Sequence, residues 1–556
     1  NIPLVEIYDE PRYQFRGMHV DLARNFHSKD FVLDLIEQMA TYKLNKLHLH
    51  MGDDEGWRLE IRGLPALTQV GAFRCHDLTE TRCLLPQLGS GSDPDFTSAV
   101  NGFYTIADYK EILEAATARH IQVIPSFDMP GHSRAVIKSM EARYRRLMAE
   151  GKEAEANRYR LIDPEDTTKY YSIQFYTDNT INVCIQSTYD FIDKVIDEVK
   201  LVHQEAGHPL TRYHIGADET AGAWIESPAC KKYMEANDIH DVERLGPHFI
   251  ERLSAQLIQK GIEVGGWSDG LSHTNFDKMP ERVQSNIWDV LAWGGSASAH
   301  KQVNAGWEVV LSTPDALYFD FPHEADPKES GYYWGTRRVN TRKVFSFMPG
   351  NIPVHAEIWK SPAEQPFVID DTLRLDAHGD VISGPMKKGK SIAGIQGQLW
   401  SETARSDDWA EYQIYPRFMA LAERAWSKPA WEPDYNYSGA VYSHETKLFN
   451  DDLQAKRDKD WARFTSILAG KEFSKLDAAN IFYRIPTVGA VINSNGVLSA
   501  NIIFPGMAIE YRVGSSDWIE YSEPVTLQNY EVGTEVSVRS RSMDGTRYGR
   551  SLVVSN

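Results

Sequence analysis

Arg212-Tyr213-His214-Ile215-Gly216-Ala217-Asp218-Glu219-Thr220 is an apolar stretch that runs into two adjacent carboxylates. Helical periodicity precedes it over 187–205 and follows it over 245–259, so it reads as one strand of a parallel βα series. Further short apolar runs at 16–21, 45–51, 121–127, 263–267, 283–288, 308–311 and 392–400 bring the count to eight, which predicts an α/β fold, a (β/α)8 barrel. Such barrels carry their chemistry at the C-terminal strand ends. Asp218 and Glu219 stand at one. Asp9-Glu10, Asp54-Glu55 and Asp197-Glu198 are acidic pairs too, as solvated surface ordinarily provides, so position rather than composition singles out 218–219.

Working outward, Ser28 caps a first helix whose Phe31, Leu35, Ile36 and Met39 recur at helical spacing, and 108–119 and 409–426 read the same way. The stretches 52–120 and 313–391 are too long for ordinary βα loops and follow strand ends at the active face, the usual mark of functional insertions. From about Ile485 the period changes to two, with Ile509, Tyr511 and Val513, then Val536 and Val538, between Gly-containing turns. The expected organisation is a barrel over 1–470 and a small antiparallel β-sandwich over 484–556.

The chain has 556 residues, 42% of them hydrophobic, enough for a barrel core and a smaller module. A formal charge of -19 without a long basic run argues against a nucleic-acid partner, and no apolar run is long enough to span a bilayer. The chain opens at Asn1-Ile2-Pro3 with neither Met nor a signal-like segment, so a processed or shortened N-terminus is expected. Cys75, Cys83, Cys184 and Cys230 show no Cys-x-x-Cys zinc spacing; Cys75 and Cys83 bracket a segment short enough for a disulfide loop, and four buried thiols are the alternative.

Strand parity places His214, Gly216 and Asp218 on one face, Tyr318 and Asp320 on another, and Gln398, Trp400 and Glu402 on a third, all converging at a barrel mouth. Trp267 and Trp288 close their strands and would add aromatic walls, packed closely enough to enclose a group as small as an acetamido methyl. Burial among aromatics would raise the pKa of an acid there. Adjacent carboxylates are poorly placed to attack a sugar from both sides, but one can protonate a leaving oxygen while its neighbour holds another part of the substrate. His48 and His50, with Asp53, His132 and His214, form a rival set that would ligate a metal, and hydrogen-bonded barrel packing is the alternative.

Taken in order, Phe15-Arg16-Gly17-Met18-His19-Val20-Asp21, His48-Leu49-His50 with Asp53-Asp54-Glu55-Gly56-Trp57, Pro130-Gly131-His132, His214 to Glu219, Tyr318-Phe319-Asp320 and Gln398-Leu399-Trp400-Ser401-Glu402 resemble the family 20 glycoside hydrolases, in particular the bacterial chitobiase branch. The resemblance implies an exo-acting, retaining β-N-acetylhexosaminidase that releases terminal N-acetylglucosamine from chitobiose and chitooligosaccharides through an oxazolinium intermediate. It implies Glu219 as general acid/base, Asp218 and Tyr318 on the substrate's acetamido group, and Trp267, Trp288 and Trp400 around it. Arg16, Asp320 and Glu402 would hold sugar hydroxyls, Asp53 and His132 would tune the acid, and Trp334 in Gly331-Tyr332-Tyr333-Trp334 would stack on the ring beyond the cleaved bond. It further implies disulfides Cys75–Cys83 and Cys184–Cys230, export to the periplasm, outer membrane or medium, an immunoglobulin-like C-terminal domain, and neither metal nor cofactor, so that His48 and His50 would be packing residues; the branch carries further domains ahead of the barrel, and this sequence departs from it by entering almost at strand one.

Overall fold

The computed structural model describes residues 6–91, 98–220, 222–379, 381–527 and 533–554; the outermost residues of both expected domains lie outside these. Eight parallel strands close into a barrel: β1 (Phe15–Asp21), β2 (Lys46–Asp53), β3 (Gln122–Met129), β4 (Arg212–Gly216), β5 (Glu263–Trp267), β6 (Val283–Ile287), β7 (Glu308–Leu311) and β8 (Gly394–Leu399). Each pairs with its sequence neighbour, and β1 closes the ring by pairing with β2 on one side (His19 opposite His48) and β8 on the other (His19 opposite Gln398). Strands buried on both faces need continuous apolar runs, and β1 and β4 are buried along their whole length.

The helices obey the same logic. α1 (Lys29–Thr41) is capped by Ser28, whose Oγ accepts the Phe31 N–H at 3.1 Å, and buries Phe31, Val32, Leu35, Ile36 and Met39. The insertion after β2 turns back as a two-residue strand, Gly56–Trp57, antiparallel to β2, and carries the Cys75–Cys83 disulfide. A second disulfide joins Cys184 to Cys230. The insertion after β7 is largely irregular, yet Tyr318 makes a bridge to Gln398 of β8 that fixes its root beside the barrel mouth.

The chain divides into two compact units, 1–407 with 418–448, and 408–417 with 449–556. The polar helical stretch up to 470, expected with the barrel, groups with the second unit. That unit holds a three-stranded antiparallel sheet, β9 (Gly489–Ile492), β10 (Val497–Asn501) and β13 (Val525–Thr526), and a four-stranded one, β11 (Ile509–Val513), β12 (Ile519–Tyr521), β14 (Val536–Ser540) and β15 (Leu552–Val554). Val488, Ile492, Leu498, Ile509, Leu527, Val536, Val538 and Val554 form its core, the inward alternation of a two-sheet sandwich.

Candidate active site

β4 leads the chain into a sharply turned segment. Gly216 has φ +70°, and a Cβ there would stand 2.3 Å from the Asp128 carboxylate, so only glycine fits. Ala217 and Glu219 follow with φ +75° and +48°, conformations that cost L-residues energy and persist only where surrounding packing enforces them. The enforcement is visible: Gly270 packs so tightly on this turn that a Cβ would fall 1.6 Å from the Ala217 carbonyl oxygen. Strand parity therefore stops at Gly216. Asp218 and Glu219, which an extended strand would splay apart, both line one cavity of about 740 Å³.

Trp267, Trp288, Tyr318, Asp320, Trp334, Trp400, Glu402 and His132 line the same cavity. Trp267 is 1% exposed, and its ring lies 5.4 Å from that of Trp400, with Tyr318 6.3 Å from Trp400 and 5.7 Å from Trp334. Trp334, 41% exposed, stands at the rim, stacked on Trp293 at 6.3 Å.

Charged groups are layered behind the carboxylate pair. Glu219 Oε2 is 3.2 Å from His132 Nε2 and accepts from Gln174 Nε2 at 2.9 Å; His132 Nδ1 lies 3.2 Å from Asp53 Oδ1 and from Asp54 Oδ2. Burial opposes a charged imidazole, yet Asp53 and Asp218, with hydrogen bonds to Asp53 and Asp54, hold His132 well above its usual range. Burial likewise pushes Glu219 up, but the bond to His132 and its charge, with the Gln174 hydrogen bond and the Arg24 charge, together leave the carboxyl below its ordinary value. The expected rise appears on Asp218 instead, lifted well above the carboxylate range by burial and by Asp128, Asp269 and Glu219, against the pull of His132. Asp218 Oδ1 is buried and has no hydrogen-bond partner among the described residues.

Arg16 is the expectation that fails. It lies at the N-terminal end of β1, where its Nε donates to the Lys43 carbonyl and its Nη1 to the Tyr13 carbonyl, both at 2.7 Å, and it is absent from the cavity lining. The guanidinium in the cavity belongs to Arg24, just beyond the C-terminal end of β1: 2.9 Å from Asp53 Oδ2, 3.2 Å from Glu55 Oε2 and 5.0 Å over the Trp400 ring. The rule that barrels act at C-terminal strand ends would have selected Arg24, and also Asp128 at the end of β3. Gln174 comes from a loop and Trp293 from a short 3-10 helix, Leu291–Trp293, and neither carries a sequence signal of that kind.

The rival metal set does not converge as one cluster. His48 packs against His214 with rings 4.4 Å apart, while His50 Nε2 meets Asp53 Oδ2 at 2.7 Å. His50, Asp53 and Asp128, and Asp53, Asp54 and His132, do hold ligand-type atoms within 4.8 Å of one another, with Arg24 placed against Asp53 among them.

Known proteins resemble this chain in sequence and fold. Residues 13–429 match the family described as glycosyl hydrolase family 20, catalytic domain, and 472–551 match the chitobiase/beta-hexosaminidase C-terminal domain. The chain is 48% identical to a beta-hexosaminidase of Vibrio vulnificus over 99% of its own length and 64% of the relative's. It is 54% identical to beta-hexosaminidase B of Pseudoalteromonas piscicida (84% and 58%) and 43% identical to N,N'-diacetylchitobiase of Vibrio harveyi (99% and 63%). Among solved structures, the exo beta-N-acetylglucosaminidase of Vibrio harveyi in complex with N-acetylglucosamine superposes with a TM-score of 0.61 at 31% identity, over 86% of this chain and 60% of that one. The chain thus spans 58% to 64% of the length of these curated relatives.

Proposed function

The chain belongs to glycosyl hydrolase family 20, and from that premise we propose that it hydrolyses terminal β-linked 2-acetamido sugars with the substrate's own acetamido group as nucleophile. The observation that carries this reading is Asp218 Oδ1, a buried carboxylate oxygen without a donor, in a cavity walled by Trp267, Trp288 and Trp400. A buried acceptor left unmet is costly, and the N–H of an acetamido group between those rings would meet it.

Glu219 is the acid. It protonates the glycosidic oxygen as the C1–O bond breaks; the acetamido oxygen, accepting a hydrogen bond from the Tyr318 hydroxyl, closes on C1 from the other face. Asp218 stabilises the positive charge that spreads over the resulting oxazolinium ring. Glu219 then takes a proton from the water that opens the ring, so the product keeps the β configuration. In the free site burial and the neighbouring carboxylates raise Asp218; an N–H arriving at Oδ1 favours its ionised form, and a leaving group that shields Glu219 from water raises that carboxyl. Arg24, Asp320 and Glu402 line the cavity where sugar hydroxyls would be held, and an epimer that leaves such charged groups unpaired is rejected.

Chitobiose and short chitooligosaccharides are the proposed substrates, with the rim tryptophan Trp334 stacked on the sugar beyond the cleaved bond. The similarity to N,N'-diacetylchitobiase of Vibrio harveyi supports this choice, and the similarity to the exo beta-N-acetylglucosaminidase of the same species supports exo action. The scheme uses neither metal nor cofactor, so chelator treatment is expected to leave the rate unchanged. The two disulfides support export to an oxidising compartment. The test is the Asp218→Asn enzyme: it keeps Glu219 yet is expected to lose most of its turnover, and unchanged turnover would sink the acetamido-assisted reading.

A further inference from the structure

We infer that Asp269 is a positioning residue for the general acid, a carboxylate that fixes the backbone of Glu219 and the indole of Trp288 in one grip. This rests on the reading of Glu219 as the acid. Asp269 lies two residues beyond β5, and each of its oxygens meets a different partner: Oδ2 accepts the Glu219 N–H at 3.0 Å, and Oδ1 accepts Trp288 Nε1–H at 2.9 Å. Both contacts are made by N–H donors, which an ionised carboxylate satisfies with its two oxygens; an amide would turn an NH2 toward one of them.

The grip falls where the backbone most needs it. Glu219 sits at φ +48° after Ala217 at φ +75°, and the residue after Asp269 is Gly270, whose bare Cα lets the two segments touch. A second cavity of about 870 Å³ is also lined by Glu219, Asp269 and Trp288, so open space adjoins this contact. The Glu219 backbone is therefore anchored by the hydrogen bond to Asp269, while its carboxylate is met by His132 and Gln174. Proton delivery to a leaving oxygen demands that the acid be held in place, and misplacement by about 1 Å costs on the order of a hundredfold in rate.

A leaving group that departs without protonation separates this role from simple loss of structure. The experiment compares kcat/KM for chitobiose with that for the 2,4-dinitrophenyl β-glycoside of N-acetylglucosamine in Asp269→Ala, Asp269→Asn and Glu219→Gln. The expected result is a loss in Asp269→Ala at least about tenfold larger on chitobiose than on the dinitrophenyl glycoside, the same direction in Glu219→Gln, and an intermediate ratio in Asp269→Asn, which keeps one acceptor. Equal losses on both substrates in the folded Asn variant, or no loss, would overturn the inference while leaving Glu219 as the acid. Indifference to leaving group in Glu219→Gln would overturn the acid assignment and the role of Asp269 with it.

Discussion

His132 stands between two sets of carboxylates, and the sign of its effect is open to test. It lowers both Asp218 and Glu219. Replacing it with alanine removes a cation from beside the pair, so both ionisations of the pair move to higher pH. The bell of kcat/KM against pH is therefore expected to shift toward alkaline values on both limbs in His132→Ala, alongside reduced activity; a shift toward acid would contradict the charge assignment. Glu219→Gln is expected to cut kcat on chitobiose by roughly 10²–10⁴, the range of general acid catalysis. At this scale the sequence is informative where a residue ends a strand, as Trp267 does, or follows one within two residues, as Trp400 and Asp218 do. It misleads at Arg16, which belongs to a matching motif but stands at the start of β1, and it is silent on the exchange of raised and lowered pKa between Asp218 and Glu219, which arises largely from groups distant in sequence.

The turn after β4 is the element on which the site depends. Alanine at Gly270 would press its Cβ into the Ala217 carbonyl, so the turn must move and carry Asp218 and Glu219 with it. Gly270→Ala is expected to lose about 1–3 kcal/mol of stability, as overpacked sites do, and to lose activity even well below its melting temperature. Thermal melts beside initial rates check both; full activity with an unchanged Tm would show that the turn tolerates displacement. All eight barrel strands were legible from apolar runs and flanking helical periodicity, because strands buried on both faces must be written that way. The 409–426 stretch was read as one helix but forms two, Asp407–Ile414 and Arg417–Trp426, since Pro416 has no N–H to continue the ladder. The positive φ values at Ala217 and Glu219 had no signal, neither residue being one that ordinarily adopts them.

For the molecule as a whole, the charge of -19 has a consequence for binding. Chitooligosaccharides are neutral, so long-range fields neither attract nor repel them, and KM is expected to stay nearly constant as ionic strength rises tenfold. A steep salt dependence would point to a charged substrate instead. The boundary between barrel and sandwich was legible only to within some twenty residues, because the helical stretch before 470 is polar and its pattern does not reveal which unit it packs with. The central claim is that the substrate's acetamido group is the nucleophile. It is tested most directly by the hydrolysis of chitobiose beside that of its fully deacetylated analogue. Turnover of chitobiose alone, inhibited by a thiazoline mimic of the oxazolinium ring, is the predicted result; cleavage of both disaccharides at similar rates would contradict it.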